Sequence, residues 1–340
     1  MSPSKKQTSE RLLLAADIGA TNTRLALFAV GSDLRTPKRV TNFKGNDYSG
    51  LVEILHEFLG DKEDAVVGAC FGAAGPVVDR HIQLTNLAWT IDADELKATF
   101  GWEGVWLLND LQAIANSVPL LSGDELHTLR AGIPEPKGKI AVIGPGTGLG
   151  IGFLTWAGGR YHAYSTEGGH SDFAPSDALQ DEMLSYLRRK FPQVAVEHVC
   201  SGIGLPNVYD FLKSSGKAAE PKWLADELSA APDKTPVIVQ NGIERKPGSE
   251  LCQMTVKIFI DVLAAEAGNL ALLFGATGGV FIGGGLPLYM LGEFDRYNFV
   301  TTFNVKTGYE YYLERFPIHI IRYSEPGLLG AAAYGMQHLQ

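Results

Sequence analysis

Cysteine and long apolar runs are scarce in this sequence. Cys70, Cys200 and Cys252 are the three cysteines among 340 residues. Their odd number and wide spacing exclude a CxxC metal site and argue against a disulfide framework, so we expect a cytoplasmic protein. No uninterrupted apolar run reaches the roughly 18 residues that a transmembrane helix needs. Residues 1–10 are polar and lack the apolar core of a signal peptide, so we interpret them as a loose tail.

Positive charge is also limited. The 29 lysine and arginine residues stand against 38 aspartate and glutamate residues, which gives a net charge of −9, and no long basic run is present. Neither a nucleic acid nor an anionic membrane is therefore expected as a partner. A small anionic ligand would have to be held by backbone dipoles and a metal ion. With 45% hydrophobic residues, the chain is long enough for two domains with full cores.

The most informative stretch is residues 106–110 (WLLND), an apolar run that ends in an amide and a carboxylate. Residues 105–108 are typical of a buried strand, and residues 111–118 of the helix that follows. Asp110 would then lie at the carboxyl end of a strand, where open α/β sheets bind their ligands. The alternative is that Asn109 or Asp110 only caps the helix.

A turn rich in glycine and hydroxyl or amide side chains follows the first predicted strand, Leu12–Ile18. Gly19 lets backbone N–H groups approach an anion, and Thr21 and Asn22 add donors. An ordinary β-hairpin turn has the same composition, so this turn alone is weak evidence.

A second copy of this unit strengthens the interpretation. Residues 139–143 and 151–156 are predicted strands on either side of residues 144–150 (GPGTGLG), and residues 20–27 align with 146–153 with Thr21 and Thr147 in register. Two such units favour a duplicated half-fold whose two domains clamp a polyphosphate. Neither turn contains Gly-Lys-Ser/Thr or leads into a helix, which disfavours the P-loop and dinucleotide-binding classes.

Other polar side chains form a second group of candidates. Asn86 and Trp89 could face a polar ligand, although Trp89 is better explained as a core residue. Glu167 and His170 flank two glycines on one tight loop, and Glu197 precedes another glycine turn. A structural or surface role is the alternative for each of these three residues. A zinc site is not indicated, because no further His or Cys ligand is close in sequence.

The C-terminal part of the sequence predicts three helical features and one glycine turn. Residues 214–248 are rich in polar residues and are expected to form a solvent-exposed excursion with one helix at 221–231. Residues 249–274 predict a long helix, and residues 326–333 a final helix that could pack on the first domain. Between them, Gly283, Gly284 and Gly285 would let a flat heterocycle approach the backbone, or simply form a tight strand-to-helix turn.

Taken together, these motifs resemble those of the bacterial-type glucokinases, from about residue 12 to the C-terminus. In chain order they are residues 17–24 (DIGATNTR), 107–110 (LLND), 146–150 (GTGLG), 167–175 (EGGHSDFAP), Glu197 before Ser201, 278–285 (GGVFIGGG) and 326–330 (PGLLG). The resemblance implies the two-domain α/β, ribonuclease H-like fold of the hexokinase, actin and Hsp70 superfamily, with a cleft between the domains. It also implies a small domain of residues 11–118 and 326–340, a large domain of residues 119–325, and a homodimer.

The activity that the resemblance implies is phosphorylation of the 6-hydroxyl of glucose by ATP, with Mg²⁺. Asp110 matches the family's general base and a sugar ligand, and Asp17 is the expected partner of Mg²⁺, through water. The other sugar ligands it implies are Asn86, Asn109, Glu167, His170 and Glu197. The implied nucleotide-binding residues are Asp17, Gly19, Ala20, Thr21, Asn22, Thr147, Gly148, Gly283, Gly284 and Gly285.

Two positions depart from the family pattern. Ala20 replaces a usual glycine and could narrow the first turn, and Pro145 stiffens the approach to Gly146. The cysteine-rich zinc signature of the related repressor and open-reading-frame kinases is missing. Two alternatives stay open: another hexose or another phosphate donor on the same fold, and a non-catalytic sugar sensor. A sensor would be expected to carry a DNA-binding segment, and about ten residues before the first strand are too few for a helix-turn-helix.

Overall fold

The computed structural model describes residues 10–19, 22–84, 87 and 89–339. The chain divides into two compact units, which are treated separately below. The first unit comprises Met1–Leu121 and Tyr323–Gln340, and the second comprises Ser122–Arg322.

The first unit is built on a five-stranded sheet. Its elements are β1 (Leu12–Ile18), β2 (Asn22–Ala29), β3 (Arg39–Lys44), α1 (Leu51–Leu59), β4 (Val66–Ala73), β5 (Val77–Val78), β6 (His81–Gln83), β7 (Thr90–Asp92), α2 (Ala93–Phe100), β8 (Gly104–Asn109), α3 (Asp110–Ser117) and α13 (Pro326–His338). The strand order is β3-β2-β1-β4-β8, and β5, β6 and β7 form a small antiparallel sheet of their own. Strands β1, β4 and β8 run parallel, so their carboxyl ends lie at the same edge of the sheet.

The second unit repeats this plan with one added strand. Its elements are β9 (Leu126–Arg130), β10 (Ile140–Pro145), β11 (Leu149–Ala157), β12 (Arg160–Thr166), α4 (Ala178–Leu187), α5 (Gly204–Ser214), α6 (Lys222–Ala230), α7 (Lys234–Glu244), α8 (Glu250–Phe274), β13 (Gly279–Ile282), α9 (Gly285–Tyr289), α10 (Leu291–Arg296), α11 (Phe299–Asn304), α12 (Glu310–Leu313) and β14 (Ile318–Ile321). The strand order is β12-β11-β10-β13-β14-β9. Its first five strands have the same order of antiparallel and parallel pairs as β3-β2-β1-β4-β8 of the first sheet, and β9 is added at the end. The predicted duplication of a half-fold is confirmed.

The C-terminal helix α13 belongs to the core of the first unit, as predicted. Its small residues let it pack closely on α3: a Cβ added at Gly330 would collide with the carbonyl oxygen of Ala113. Leu328, Ala331 and Ala332 are buried in the same cluster as Leu13 of β1. The helix that follows Asp110 is therefore held by the last helix of the chain.

Helix α8 crosses the core of the second unit. Leu251, Val256, Phe259 and Leu263 are completely buried, and they join the apolar side chains of β10, β13 and β14 in one cluster. The 25 residues of α8 are buried on most of their surface, which is why the sequence there is apolar on more than one face.

Two sequence predictions differ from the structure, and several elements were not predicted. Residues 214–248 are not an exposed excursion throughout, because α7 packs on α8 and buries Ile238 and Val239. Residues 48–59 have helical periodicity with Ser49 as the expected cap, but Ser49 does not cap α1, which starts after Gly50 without a side-chain cap. Ser49 instead donates from its N–H and its hydroxyl to the carboxylate of Glu53. Strands β3, β7 and β9 and helices α7 and α10–α12 were not predicted.

Two other local predictions, at Trp89 and at residues 77–84, are confirmed. Trp89 is 6% exposed and lies in the core. Residues 77–84 predict a short hairpin over Asp79 and Arg80, and these two residues, both with positive φ, form the turn between β5 and β6. The three cysteines are free and buried. Among the helices of the described residues, none combines the length and the apolarity that a membrane span requires.

Candidate active site

Asp110 lies where the sequence predicted it, at the end of a parallel strand. Strand β8 ends at Asn109, and Asp110 is the first residue of α3. Its side chain is exposed, and its Oδ1 accepts a hydrogen bond from the N–H of Leu111 at 2.8 Å. The carboxylate is therefore oriented by the first turn of α3 while it remains accessible.

Asn109 is the helix cap of α3, so one alternative interpretation of the WLLND motif is confirmed for this residue. Its Oδ1 accepts from the N–H groups of Leu111 and Gln112 at 3.0 and 3.4 Å. Its Nδ2 donates to the carbonyl oxygen of Gly75 at 3.2 Å. Because both ends of the amide already have protein partners, Asn109 fixes the backbone that carries Asp110.

Asp17 is a second carboxylate at the same edge of the first sheet. It lies near the end of β1, half-buried, opposite Arg24 of β2 and Gly72 of β4. Burial, and to a lesser degree the negative charge of Asp110, raise the pKa of Asp17 to about 6, while Arg24 acts in the opposite direction. The two carboxylates are thus close enough to repel each other, which is an environment that a cation would stabilise.

The start of α13 packs against Asp17. A Cβ added at Gly327 would lie 2.6 Å from Asp17 Oδ2, so only glycine leaves room for the carboxylate there. Glu325, just before this helix, forms an ion pair with Arg24. The PGLLG motif has no role that the sequence predicts, and the structure shows that its first glycine accommodates Asp17.

The first glycine turn connects β1 and β2. The N–H of Gly19 donates to the carbonyl oxygen of Asn22 at 2.9 Å, which closes the turn. Ala20 and Thr21 lie outside the described residues, as does Asn86, so the expectations for these three positions stay predictions. Gly19 and Asn22 are both exposed.

The second glycine turn connects β10 and β11 in the second unit. The N–H of Gly146 donates to the carbonyl oxygen of Gly148 at 2.9 Å, and exposed Thr147 lies at the tip. The carbonyl oxygens of Gly146 and Thr147 accept from the N–H groups of Gly202 and Ile203 at 2.8 and 3.1 Å. The turn is therefore held by the segment that follows Glu197.

Glu197 is bonded directly to the second glycine turn. Its Oε2 accepts from the N–H of Leu149 at 2.7 Å, and a Cβ added at Gly148 would collide with the same oxygen. The side chain is only 17% exposed, and its other oxygen, Oε1, lies 4.0 Å from Nδ1 of His170. The carboxylate of Glu197 is therefore fixed by a hydrogen bond to the second glycine turn and is not a solvated surface charge.

A short antiparallel pairing brings His170 and Glu197 together. Val196 donates to the carbonyl oxygen of Ser171 at 2.9 Å, and Phe173 donates to that of Val194 at 2.8 Å. Asp172 and Ala195 form the bridge between these two bonds. His170 and Glu197 lie at the same end of this pairing, which we call the 171–196 ladder.

Glu167 begins the loop that leads into this ladder. The N–H of His170 donates to the carbonyl oxygen of Glu167 at 3.0 Å, which makes one tight turn. Gly169 is required because an added Cβ would collide with the carbonyl oxygen of Leu149. Glu167 and His170 are both exposed, and the loop lies against the start of β11.

The three glycines after β13 form a strand-to-helix turn beside β10. The N–H of Gly283 donates to the carbonyl oxygen of Ile143 at 2.8 Å. Gly284 has φ 89°, and an added Cβ would collide with the carbonyl oxygen of Pro145. Gly285 is exposed and starts α9. This turn therefore lies directly against the backbone of Pro145, which precedes the second glycine turn.

Comparison with known proteins agrees with the sequence resemblance. A family model described as Glucokinase matches residues 14–338. The glucokinase of Nostoc punctiforme is 36% identical over 336 residues, covering 94% of this chain and 98% of its own. The glucokinase of Photorhabdus laumondii is 32% identical over 326 residues, covering 96% and 97% respectively.

Solved structures show the same relationship. The crystal structure of a glucokinase from an Antarctic psychrotroph matches with a TM-score of 0.80 and 30% identity, covering 95% of this chain and 98% of that one. A ROK family glucokinase from Streptomyces griseus, solved with glucose and AMPPNP, shares the fold at 18% identity with a TM-score of 0.63, covering 96% and 99%. The chain therefore belongs to the glucokinase family, ATP-dependent sugar kinases that phosphorylate glucose.

Proposed function

We propose that this glucokinase transfers the γ-phosphoryl group of ATP to the 6-hydroxyl of glucose, with Asp110 as the general base. The observation that supports this role is the position of Asp110: an exposed carboxylate at a strand end, oriented by a capped helix. An alcohol is a poor nucleophile until a carboxylate at hydrogen-bond distance accepts its proton, and this step contributes about 10²- to 10⁴-fold in rate.

Glucose would be held by polar groups that the second unit already positions. Glu197 uses Oε2 to accept from Leu149 and leaves Oε1 for a sugar hydroxyl. His170 and Glu167, on the loop before the 171–196 ladder, supply one imidazole and a second carboxylate. Each such group left unpaired by the wrong epimer would cost about 1–3 kcal/mol. Asn109 contributes mainly by positioning Asp110, and Asn86 stays a further proposed ligand.

The triphosphate would be bound by backbone N–H groups of the two glycine turns, with Gly19, Ala20, Thr21 and Asn22 on one side and Thr147 and Gly148 on the other. Gly283, Gly284 and Gly285 are the proposed adenosine contact, because they leave the backbone open to a flat ring. Phosphoryl transfer depends on positioning and charge neutralisation more than on covalent help from the protein. We also propose a small domain of residues 11–118 and 326–340 and a large domain of residues 119–325.

Asp17 fits the role of a Mg²⁺ ligand. Its burial and its repulsion by Asp110 raise the pKa of its carboxyl group, and a divalent cation would relieve both effects. Within the described residues, His, Cys, Asp and Glu side chains form no cluster of three or more suited to hold a metal ion. We therefore propose that Asp17 binds Mg²⁺ through water, and that the ion neutralises phosphate charge when it is bound.

A panel of hexoses crossed with phosphate donors tests the proposed reaction. The protein is assayed for ADP release with glucose, mannose, galactose and fructose, and for sugar phosphate with ATP, ADP or polyphosphate as donor. We expect glucose with ATP to give the highest kcat/KM, and ³¹P and ¹³C NMR of the product to show phosphate on carbon 6. Release of ADP with another hexose at equal or higher kcat/KM would assign a different substrate, and no turnover with any pair would leave only a sugar sensor.

Two further proposals come from family membership. We propose a homodimer, which light scattering at several protein concentrations tests through a mass near twice 36.7 kDa. We also propose a cytoplasmic location, which the three buried free thiols support because such thiols persist in a reducing compartment.

A further inference from the structure

His198 directly follows the proposed glucose ligand Glu197 in the chain. It is the last residue of a short 3₁₀ turn, Val196–His198, and Ala195 immediately precedes this turn. The N–H of His198 donates to the carbonyl oxygen of Ala195 at 3.0 Å, and the N–H of Ala195 donates to Nδ1 of His198 at 3.1 Å. These two reciprocal hydrogen bonds close the turn on which Glu197 lies.

The direction of the bond from Ala195 determines the protonation state of His198. A backbone N–H can only donate, so Nδ1 of the imidazole carries a lone pair and no proton. The ring is therefore neutral, and its proton is on Nε2. In the imidazolium form both ring nitrogens carry protons, and Nδ1 would face the N–H of Ala195 without being able to accept from it.

The N–H of Ala195 needs this acceptor. Ala195 is buried, and it pairs with Asp172 in the 171–196 ladder. The two hydrogen bonds of the ladder lie on either side of this pair, so the N–H and C=O groups of Ala195 point away from Asp172. Loss of the bond to His198 would leave a buried donor without its acceptor, which costs free energy.

The imidazole ring and the backbone of His198 are also held from other sides. The ring stacks on Phe191 with a centroid distance of 4.0 Å and an angle of 13° between the planes. The carbonyl oxygen of His198 accepts from Nδ2 of Asn207 in α5 at 2.9 Å. Rotation of the ring within the stack would present a C–H group to Ala195. No orientation of a protonated ring in this stack therefore supplies the acceptor that closes the turn.

The surroundings of His198 give the direction of its titration. Burial, the largest effect, lowers the pKa of His198; the carboxylate of Glu197 raises it, and the positive charges of His170 and Lys190 lower it. The net shift is downward from the usual value of 6.5. The ring is therefore neutral at neutral pH, and it gains its second proton as the pH falls through the lowered pKa.

The turn connects this ring to the proposed glucose site. Glu197 lies within the turn; its Oε2 accepts from the N–H of Leu149 at 2.7 Å, and its Oε1 lies 4.0 Å from Nδ1 of His170. Both distances depend on where the turn places the backbone of Glu197. Opening of the turn would draw the carboxylate away from the second glycine turn and from His170.

We propose that His198 is a positioning residue for glucose binding: its unprotonated Nδ1 closes the turn that holds Glu197, and protonation of the ring opens this turn and weakens glucose binding. The effect on glucose rests on the proposed function of Glu197, whereas the closure of the turn does not. We expect the Kd for glucose to rise about threefold or more when His198 becomes protonated.

NMR without glucose or nucleotide tests the closure of the turn. Labelling of the eight histidines with ¹⁵N shows which ring nitrogen of His198 carries a proton. The backbone amide signals of Ala195 and Leu149 report the turn and its bond to Glu197. We expect Nδ1 to be unprotonated at neutral pH and both amide signals to shift as His198 gains its second proton. A proton on Nδ1 at neutral pH, or amide signals that do not follow the titration of His198, would overturn the proposal.

Two substitutions separate the acceptor from the ring, with the Kd for glucose measured by calorimetry at several pH values. His198→Asn places a non-titrating oxygen near the position of Nδ1, so it should keep the Kd at neutral pH and weaken the dependence on pH. His198→Phe keeps the stack on Phe191 but removes the acceptor, so it should raise the Kd about threefold or more at neutral pH.

His162→Asn is the matched control, because His162 is a half-buried histidine of β12 whose ring bonds to the carbonyl oxygen of Ala157. It should follow the wild type at every pH. His170 titrates in all of these proteins, so the difference between the wild type and His198→Asn isolates His198. The same dependence on pH in those two proteins, or a wild-type Kd in His198→Phe, would overturn the proposal.

Glu197→Gln distinguishes failure of this proposal from failure of the proposed function. Glutamine keeps an acceptor for Leu149 but removes the charge, so the Kd for glucose should rise about tenfold if Glu197 is a glucose ligand. A wild-type Kd would reject Glu197 as a ligand and with it the effect on glucose, while the amide signals still decide whether His198 closes the turn. A higher Kd in Glu197→Gln but not in His198→Phe would retain the ligand and overturn the positioning role of His198.

Discussion

A methyl group at Gly148 should displace the carboxylate of Glu197 and weaken glucose binding. Glu197 Oε2 accepts from the N–H of Leu149 at 2.7 Å, and the Cβ of Gly148→Ala would occupy the space of that oxygen. Because the collision involves a carboxylate and not backbone, the side chain can move away. When it moves, it loses the bond to Leu149 and its position 4.0 Å from His170.

The expected size follows from the bond that is lost. A hydrogen bond to a charged group contributes about 1.5–3 kcal/mol, and each 1.4 kcal/mol corresponds to a tenfold change in affinity. We therefore expect the Kd for glucose to rise about tenfold or more. Gly146→Ala is the matched control in the same turn, since nothing lies within 4 Å of its added Cβ.

Glucose binding is measured by calorimetry without nucleotide, so that any effect of either methyl group on phosphate contacts does not enter. Circular dichroism and thermal unfolding show whether each variant is folded. We expect Gly148→Ala to be folded and weakened, and Gly146→Ala to bind glucose like the wild type. Equal affinity in Gly148→Ala and the wild type, or equal loss in both variants, would refute the role assigned to Glu197.

Two further predictions concern stability. Gly330→Ala should destabilise the first unit by about 1–3 kcal/mol or more, because its Cβ would collide with the backbone of α3. Gly292→Ala in helix α10 is the control: nothing lies within 4 Å of its added Cβ, so it should be neutral or stabilising by up to about 1 kcal/mol. Equal melting temperatures for the two variants would contradict the packing of α13 on α3. Burial lowers the pKa of His319, which lies beside Phe281 and within 2.9 Å of Thr128 Oγ1. The unfolded chain therefore binds more protons at this residue than the folded chain, and its contribution to stability is present above the unfolded pKa of about 6.5 and is lost as the pH falls toward the folded pKa. The free energy of unfolding, measured by urea titration at several pH values, should fall with decreasing pH in the wild type and should fall less steeply in His319→Gln. The same dependence on pH in both proteins would reject the assignment.

The sequence predicted most of what lies at strand ends, because buried strands and glycine turns leave strong local signals. The two hairpins, the strand before Asp110 and the final helix were all placed from periodicity and turn composition. Strand β3 was missed since four of its six residues are exposed and it lacks an apolar run. Helix α7 was missed because its polar composition hid the few residues that pack on α8.

The arrangement within the candidate site was less accessible to sequence reasoning. The bond between Glu197 and Leu149 joins residues 48 positions apart, and no local pattern predicts it. The same holds for the ladder that sets His170 beside Glu197. The sequence did suggest that Asn109 or Asp110 could cap α3, but only the hydrogen bonds of the amide show that Asn109 is the cap.

The most direct test of the account is the turnover of Asp110→Asn together with its affinity for glucose. Asparagine keeps the size of the side chain but accepts no proton at neutral pH, so kcat should fall about 100-fold or more. The nucleotide-free Kd for glucose should stay within about threefold of the wild type, since the proposed sugar ligands of the second unit are unchanged. Asp94→Asn, an exposed residue in the first turn of α2, is the control and should keep full turnover. A kcat of Asp110→Asn close to that of the wild type would contradict the assignment of Asp110 as the general base.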